Sequence, residues 1–322
     1  MKKSLLLCLV SVAAFAGEPV TLKFSSLAPR ESPWGQVLRT WGKAVHEKTK
    51  GEVELEFFWN STQGDEPAQI AKMKTGQLDG AAVTSVGLSE VVHDVNALQL
   101  PGLFGEWEPF DKAREAMRPK LEKQFQEAGF ELIGWGDVGL DHLISKGYAV
   151  HLPADLKGKK PWVWREDPIM AAVCQVVGVT PDLTSAPEAI TELTSGNANM
   201  VDASALAVEQ LQWSSRLDHL NLMVVAPNIG GMLMRKQSLD ALKPEQRAAV
   251  LDTGKVACKA LTSRIRDEDK KALERLKQRM EVVTPTADEL AQWKKVFADT
   301  RARLAKGTFS PEVVKQIEDA AK

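Results

Sequence analysis

The sequence is poor in most of the residues that announce a chemistry. Its 322 residues include one tyrosine, three cysteines and five histidines. The histidines (His46, His93, His142, His151 and His219) form no metal-spaced pair, and neither H-E-x-x-H nor C-x-x-C occurs. No zinc site or dithiol motif is therefore written in the chain, and no metal or cofactor is expected. The G-x-S-x-G nucleophile elbow and the G-x-x-x-x-G-K-[ST] phosphate loop are missing too, which removes the common signatures of a hydrolase or a nucleotidase. Basic and acidic residues nearly balance, at 41 and 43, so there is no cationic excess to suit a nucleic acid or an anionic membrane. Beyond the N-terminus no apolar run approaches the roughly 20 residues that a membrane-spanning helix needs.

What is present begins with the first residues. Lys2 and Lys3 precede an apolar stretch from Ser4 to Phe15, and Ala14-Phe15-Ala16 has the small-x-small form of a cleavage site. The pattern predicts a secretory signal cut after Ala16, with the mature chain in the periplasm. Cys8 lies too early for a lipid anchor and follows Leu7 rather than a small residue. The remaining cysteines, Cys174 and Cys258, each sit in an apolar run. Export permits a disulfide, but the setting of each points to two free, buried thiols.

Strand and helix patterns alternate along the chain. Val20, Leu22 and Phe24 alternate with polar residues. Ser32-Pro33 then reads as a helix cap and first helical residue, and Val37, Leu38, Trp41 and Val45 fall on one face. Val53 to Phe57, Leu78 to Val83, Phe130 to Trp135 and Lys160 to Trp164 read as strands; Asp65–Thr75, Glu108–Ala128, Pro168–Val177 and Pro187–Thr194 read as helices. This rhythm predicts an α/β chain with mostly parallel sheets. From Pro244 to about Met280 one apolar stripe continues without a strong breaker other than Gly254. A single helix of that length, roughly 55 Å at 1.5 Å per residue, is long enough to lie along two lobes. Thr286 with Glu289 forms a capping-box pattern, and Ser310-Pro311 opens a last helix.

Gly134-Trp135-Gly136-Asp137-Val138-Gly139 spells G-x-G-x-x-G after a strand. A dinucleotide site needs a helix to start there, whereas Leu140 to Ser145 reads as more strand. The segment is better taken as a glycine-rich crossover. Tryptophan is the positive signal, with nine copies. Trp59, Trp135, Trp162 and Trp164 lie where strands end, the place where open α/β sheets bind ligands. Any one of them is equally at home in a core, but alternation sets Trp162 and Trp164 on the same face, so these two act together.

The order of several short segments is similar to that of one family. Phe24-Ser25-Ser26-Leu27, Glu47-Lys48-Thr49-Lys50-Gly51, Thr62-Gln63-Gly64, Gly76-Gln77-Leu78-Asp79-Gly80 and Leu98-Gln99-Leu100-Pro101-Gly102-Leu103-Phe104 come first. Ala154-Asp155-Leu156-Lys157-Gly158-Lys159-Lys160 and Leu193-Thr194-Ser195-Gly196 come after them. In this the chain resembles the substrate-binding subunits of tripartite ATP-independent periplasmic (TRAP) transporters over nearly its whole mature length. The resemblance implies a two-lobed α/β periplasmic-binding-protein (Venus flytrap) fold, with crossover strands and a long helix spanning both lobes. It implies lobes of residues 17–138 plus 228–267 and 139–227 plus 268–322, hinge closure on a ligand between them, and delivery to integral membrane TRAP subunits. One variant branch pairs with a helical-repeat periplasmic protein.

The resemblance also implies an arginine that grips a ligand carboxylate, a bidentate contact that few residues can copy. Here that place falls on Trp162. A second family arginine falls on Asp141, an expected asparagine near Ala203, and a first-lobe acidic contact on Thr84; Leu27 also stands where a polar residue is usual. The expected ligand is therefore a small apolar or aromatic molecule, against Leu27, Trp59, Thr84, Trp135, Asp141, Trp162, Trp164, Ala203 and Trp213. Three alternatives stay open: a cation held by the same rings with Asp141 as counter-charge, an organic acid held by a relocated base such as Arg165, and a non-transport ligand sensor. A secreted hydrolase on a receptor-like fold lacks any nucleophile motif.

Overall fold

The computed structural model describes residues 18–321; the expected signal segment and its cleavage after Ala16 lie outside them. In chain order the first lobe contains β1 (Val20–Ser26), α1 (Pro33–Lys48), β2 (Val53–Phe58), α2 (Glu66–Lys74), β3 (Gly80–Thr84) and the short α3 (Ser85–Ser89). The polar helix α4 (Trp107–Glu127) leads into the long strand β4 (Phe130–Ser145). The second lobe is built from β5 (Trp162–Trp164), α5 (Pro168–Val177), β6 (Asp182–Thr184), α6 (Ala189–Ser195), β7 (Met200–Ser204) and α7 (Ala205–Gln210). A second long strand, β8 (His219–Arg235), returns to the first lobe. After it come α8 (Lys236–Asp240), α9 (Pro244–Lys277), β9 (Glu281–Val283), α10 (Ala287–Leu304) and α11 (Pro311–Ala320).

Local chemistry sets many of these boundaries. Ser32 accepts a hydrogen bond from the Gly35 amide at the start of α1, with Pro33 as first helical residue. Thr286 and Glu289 cap α10 reciprocally. Asp167 caps α5 by accepting from the amides of Ile169 and Met170, and the helix ends at Gly178, whose φ of 79° is left-handed. Pro119 lies inside a continuous α4.

One seven-stranded sheet runs through the molecule in the order β2-β1-β3-β8-β4-β7, with β9 on β8. The expectation of mostly parallel sheets needs correcting. Strand β1 is parallel to β2 and β3, and β9 to β8, but β8 is antiparallel to both β3 and β4, and β4 to β7. The reason is that β4 leaves the first lobe and β8 comes back to it, so the two strands that join the lobes must run in opposite directions. Strands β5 and β6 form a separate parallel pair in the second lobe.

The G-x-G-x-x-G segment is strand throughout. Its glycines make room for α9, a 34-residue helix that packs on α1, β4 and α7 and so touches both lobes. A Cβ added at Gly134 would lie 2.8 Å from the Cβ of Cys258, and one at Gly136 would lie 2.9 Å from Cδ2 of Leu261. Gly139 combines a φ of +147° with a Cβ position 2.7 Å from the Asp269 carboxyl carbon. The dinucleotide-like spelling is thus a seat for a helix from elsewhere in the chain. Cys174 and Cys258 are both free and buried, and burial pushes each thiol to about 12. Cys258 lies 3.3 Å from the Met232 sulfur.

Because the clash at Gly134 is with a β-carbon fixed on a helix, neither partner can rotate away. Gly134→Ala is expected to lower stability by about 1–3 kcal/mol, the usual effect of overpacking. The unfolding midpoint in denaturant measures this; an unchanged midpoint would mean that α9 is not seated on β4.

Candidate functional site

A cavity of about 190 Å3 lies between the lobes. The carboxyl ends of β1 and β3 reach it from the first lobe with Leu27 and Thr84, and β5 and β7 reach it from the second with Trp162, Trp164 and Ala203. Asp141 on β4 and Asn228 on β8 form its back wall, and Trp213 closes one side. Of the nine side chains expected at a site, these placements bring together Leu27, Thr84, Asp141, Trp162, Trp164, Ala203 and Trp213.

Two lie elsewhere. Trp59 stacks on Phe57, with ring centroids 5.0 Å apart, beside the core under β1 and α1. Trp135 is buried in the first-lobe core. Strand alternation accounts for it: Gly134 and Gly136 face α9, so the residue between them faces the opposite way. Its indole Nε1 is buried and meets no acceptor.

The tryptophans that line the cavity are individually held. Trp162 donates from Nε1 to the Thr184 hydroxyl at 2.8 Å and meets Trp213 edge-on, with centroids 5.1 Å apart. Trp164 donates from Nε1 across the lobes to Asp65 Oδ2 at 2.9 Å, while Asp65 Oδ1 accepts from the Glu66 amide at the start of α2. Trp34, which the sequence pattern did not single out, also lines the space; its Nε1 donates to the Asp137 carbonyl.

The lining is not uniformly apolar, and in this it departs from the expectation. Glu66, Asp137, Asp141, Asp167 and Asp202 all line the cavity, and no described lining residue is lysine, arginine or histidine. Arg165 points away, exposed, 4.0 Å from the Glu188 carboxylate. Only Asp137 has cationic partners. Its two oxygens accept from Arg114 and Arg266, each at 2.6 Å, and Arg266 also pairs with Asp111.

The other carboxyls have no counter-charge; Glu66 and Asp141 are buried, Asp167 and Asp202 partly so. Glu66 accepts from the Thr84 amide and hydroxyl and from the Gly87 amide, yet burial lifts its pKa to about 8. Burial also raises Asp167, and raises Asp141 well above the carboxylate range, the second with help from neighbouring Asp202. Asp141 accepts from Asn228 Nδ2 at 2.9 and 3.2 Å. Asp202 is lifted to about 8 by burial and then by Asp167. Behind the wall, Asp269 accepts from the amides of Leu140 and Leu206 and titrates at about 6 because it is buried. Sequence reading missed Glu66, Asp167, Asp202 and Asn228. A first-turn acid, a helix cap and two polar strand residues are common everywhere, and only the fold turns all four toward one space.

Asp202 illustrates the sign of the resulting pH dependence, which the other raised carboxyls share. Below about pH 4 the folded and unfolded chains both carry its proton. Between about pH 4 and 8 the unfolded chain has released it and the folded chain retains it, so stability falls as pH rises, then levels off. Asp202 is partly exposed, and that exposure faces the cavity, so the cost is discounted to about 1–3 kcal/mol at pH 8. Asp202→Asn is expected to recover that amount at pH 8 and to make the curve shallower, Glu66, Asp141 and Asp269 keeping the rest of its slope. Denaturant unfolding of both proteins from pH 4 to 9 checks it; parallel curves would show that Asp202 does not hold a proton in the fold.

Comparisons with known proteins agree with this architecture. Residues 24–307 match the sequence model of the DctP family, described as bacterial extracellular solute-binding protein, family 7. The chain is 24% identical over 315 residues to a solute-binding protein of Verminephrobacter eiseniae, covering 95% of this chain and 91% of that one. It is 23% identical over 324 residues to the 2,3-diketo-L-gulonate-binding periplasmic protein YiaO of Escherichia coli, covering 94% of each. Its fold resembles that of a TRAP periplasmic solute-binding protein of Sulfurospirillum deleyianum with bound succinate. There the TM-score is 0.88 at 19% identity, over 95% of this chain and 100% of the other. The two-lobed fold, the cavity between the lobes and a family match over most of the sequence lead to one assignment: the chain belongs to the DctP family of bacterial extracellular solute-binding proteins, and it is a binding protein rather than an enzyme.

Proposed function

We propose that this protein is the solute receptor of a TRAP-type transporter, holding a small molecule in the interlobe cavity and presenting it to integral membrane subunits. Its lobes are taken as residues 17–138 plus 228–267 and 139–227 plus 268–322, moving about β4 and β8, except that α11 packs on α4 and so goes with the first lobe. The observation that carries the reading of the ligand is the lining. Four tryptophans, Trp34, Trp162, Trp164 and Trp213, share it with buried carboxyls, and no cationic side chain is among them. A molecule with a flat apolar body suits the rings. A simple dicarboxylate would meet no guanidinium and would bring negative charge to a wall of acids, at a desolvation cost that no cationic side chain there offsets.

A second reading takes its ligand class from the relatives, among them a 2,3-diketo-L-gulonate binder and a structure with bound succinate. One observation favours it. Glu66 and Asp202 titrate at about 8, so near neutral pH a ligand carboxylate would meet O–H donors there rather than two full charges.

Native mass spectrometry of the purified protein, followed by titration with the solute released from it, tests both readings. Trp162→Ala is expected to weaken that solute at least tenfold, about 1.4 kcal/mol, with Arg165→Ala close to wild type. Binding lost in Arg165→Ala and kept in Trp162→Ala would overturn the site and favour an acid held by a relocated base.

A further inference from the structure

We propose that the solute is an organic amine bound as its ammonium ion, with the charged nitrogen among Asp141, Asp202 and Asn228 and the apolar body against Trp162 and Trp213. The inference rests on the receptor reading above and names the class of molecule that the receptor takes.

The polar end of the cavity is made by three neighbouring strands. Asp141 lies on β4. Asp202 lies on β7, opposite Leu143, two residues along β4 from Asp141, so both carboxyls leave the same face of the sheet. Asn228 reaches Asp141 from β8 on the other side. These side chains leave their acceptors unspent. The Nδ2 of Asn228 is committed to Asp141, which turns its Oδ1 away, and that Oδ1 is buried and meets no donor. Asp202 Oδ1 is also buried and meets no donor. Two orphaned acceptors flanking a buried carboxyl cost free energy unless something donates to them. A positively charged group with two or more N–H bonds brings the donors that these acceptors lack.

The second, independent observation is aromatic. Trp162 and Trp213 meet edge-to-face and line the same cavity as Asp141. Indole is the side chain with the strongest attraction for a cation, and an alkyl or aromatic body covers it equally well. The nearest guanidinium groups, those of Arg114 and Arg266, are spent on Asp137 and Asp111, so a bound ammonium ion would take the place of a proton on the acids of β4 and β7 and release it to solvent. A quaternary ammonium would supply charge but no donor, so the geometry points to a primary or secondary amine.

The test uses probes matched in shape and different in charge: 2-phenylethylamine, 2-phenylethanol and 3-phenylpropanoate, with propylamine and cyclohexylamine as amines of other bodies. Each is titrated at pH 7 into the full mature protein, with tryptophan fluorescence and calorimetry as readouts. An amine is expected to bind at least tenfold tighter than its alcohol counterpart, with no binding of the carboxylate, and Asp202→Asn is expected to erase most of that preference. Equal binding of amine and alcohol, tighter binding of the carboxylate, or no binding by any amine would each overturn the proposal. The receptor reading is judged separately by the solute that co-purifies. A nitrogen-free solute in the native mass spectrum would sink the amine and leave the receptor standing.

Discussion

Strands β4 and β8 pair antiparallel along most of their lengths, and each passes from one lobe to the other within the same sheet. That pairing determines where everything else can go. It places the cavity where the two strands cross between lobes, and it brings Asp141 and Asn228 to its back wall as neighbours. It also requires a second tie, because two strands alone form a pliant strap. Helix α9 is that tie, and it can approach closely only because β4 carries glycine at three places beneath it. A motif that elsewhere cradles a pyrophosphate here cradles a helix. The difference lies in the residues after the glycines, which continue a strand instead of forming the first turn of a helix.

How much of this was legible in the sequence depends on how local each cause is. The starts of α1, α10 and α11 could be read from Ser32-Pro33, Thr286 with Glu289, and Ser310-Pro311, because a cap acts within four residues. The long helix α9 was legible from its sustained stripe. The pairing direction of the sheet was not, since it depends on residues nearly a hundred positions apart. The same limit divides the tryptophans. Alternation placed Trp162 and Trp164 on one face, and both line the cavity. Trp135 has equal character in the sequence, but the face it takes is set by a helix more than a hundred residues downstream. Glu66 and Asp202 were invisible for a related reason: their burial, not their identity, makes them unusual.

The electrostatics of the cavity depart from what the family resemblance implies. An arginine at the place of Trp162 would supply a fixed positive charge to a carboxylate ligand and to the acids of the wall together. No described lining residue supplies that charge, and burial raises Glu66 and Asp202 so that both hold protons near neutral pH. The raised values follow first from burial, with no cationic side chain among the described lining residues to oppose it. Ligand class in such a receptor is a property of the whole charge balance of the cleft.

The bond between Trp164 and Asp65 joins the lobes without using the atom that caps α2. One oxygen of Asp65 caps α2, and the other takes the indole of the opposite lobe. Were the lobes to part, the contacts of Asp65 with Trp164 and with the Ala186 backbone would break while that with Glu66 stayed, so the helix would keep its cap at the lip of the cleft. The carboxylate acts as a clasp whose fixed half never opens, and each cycle of capture and release would begin again from the same edge.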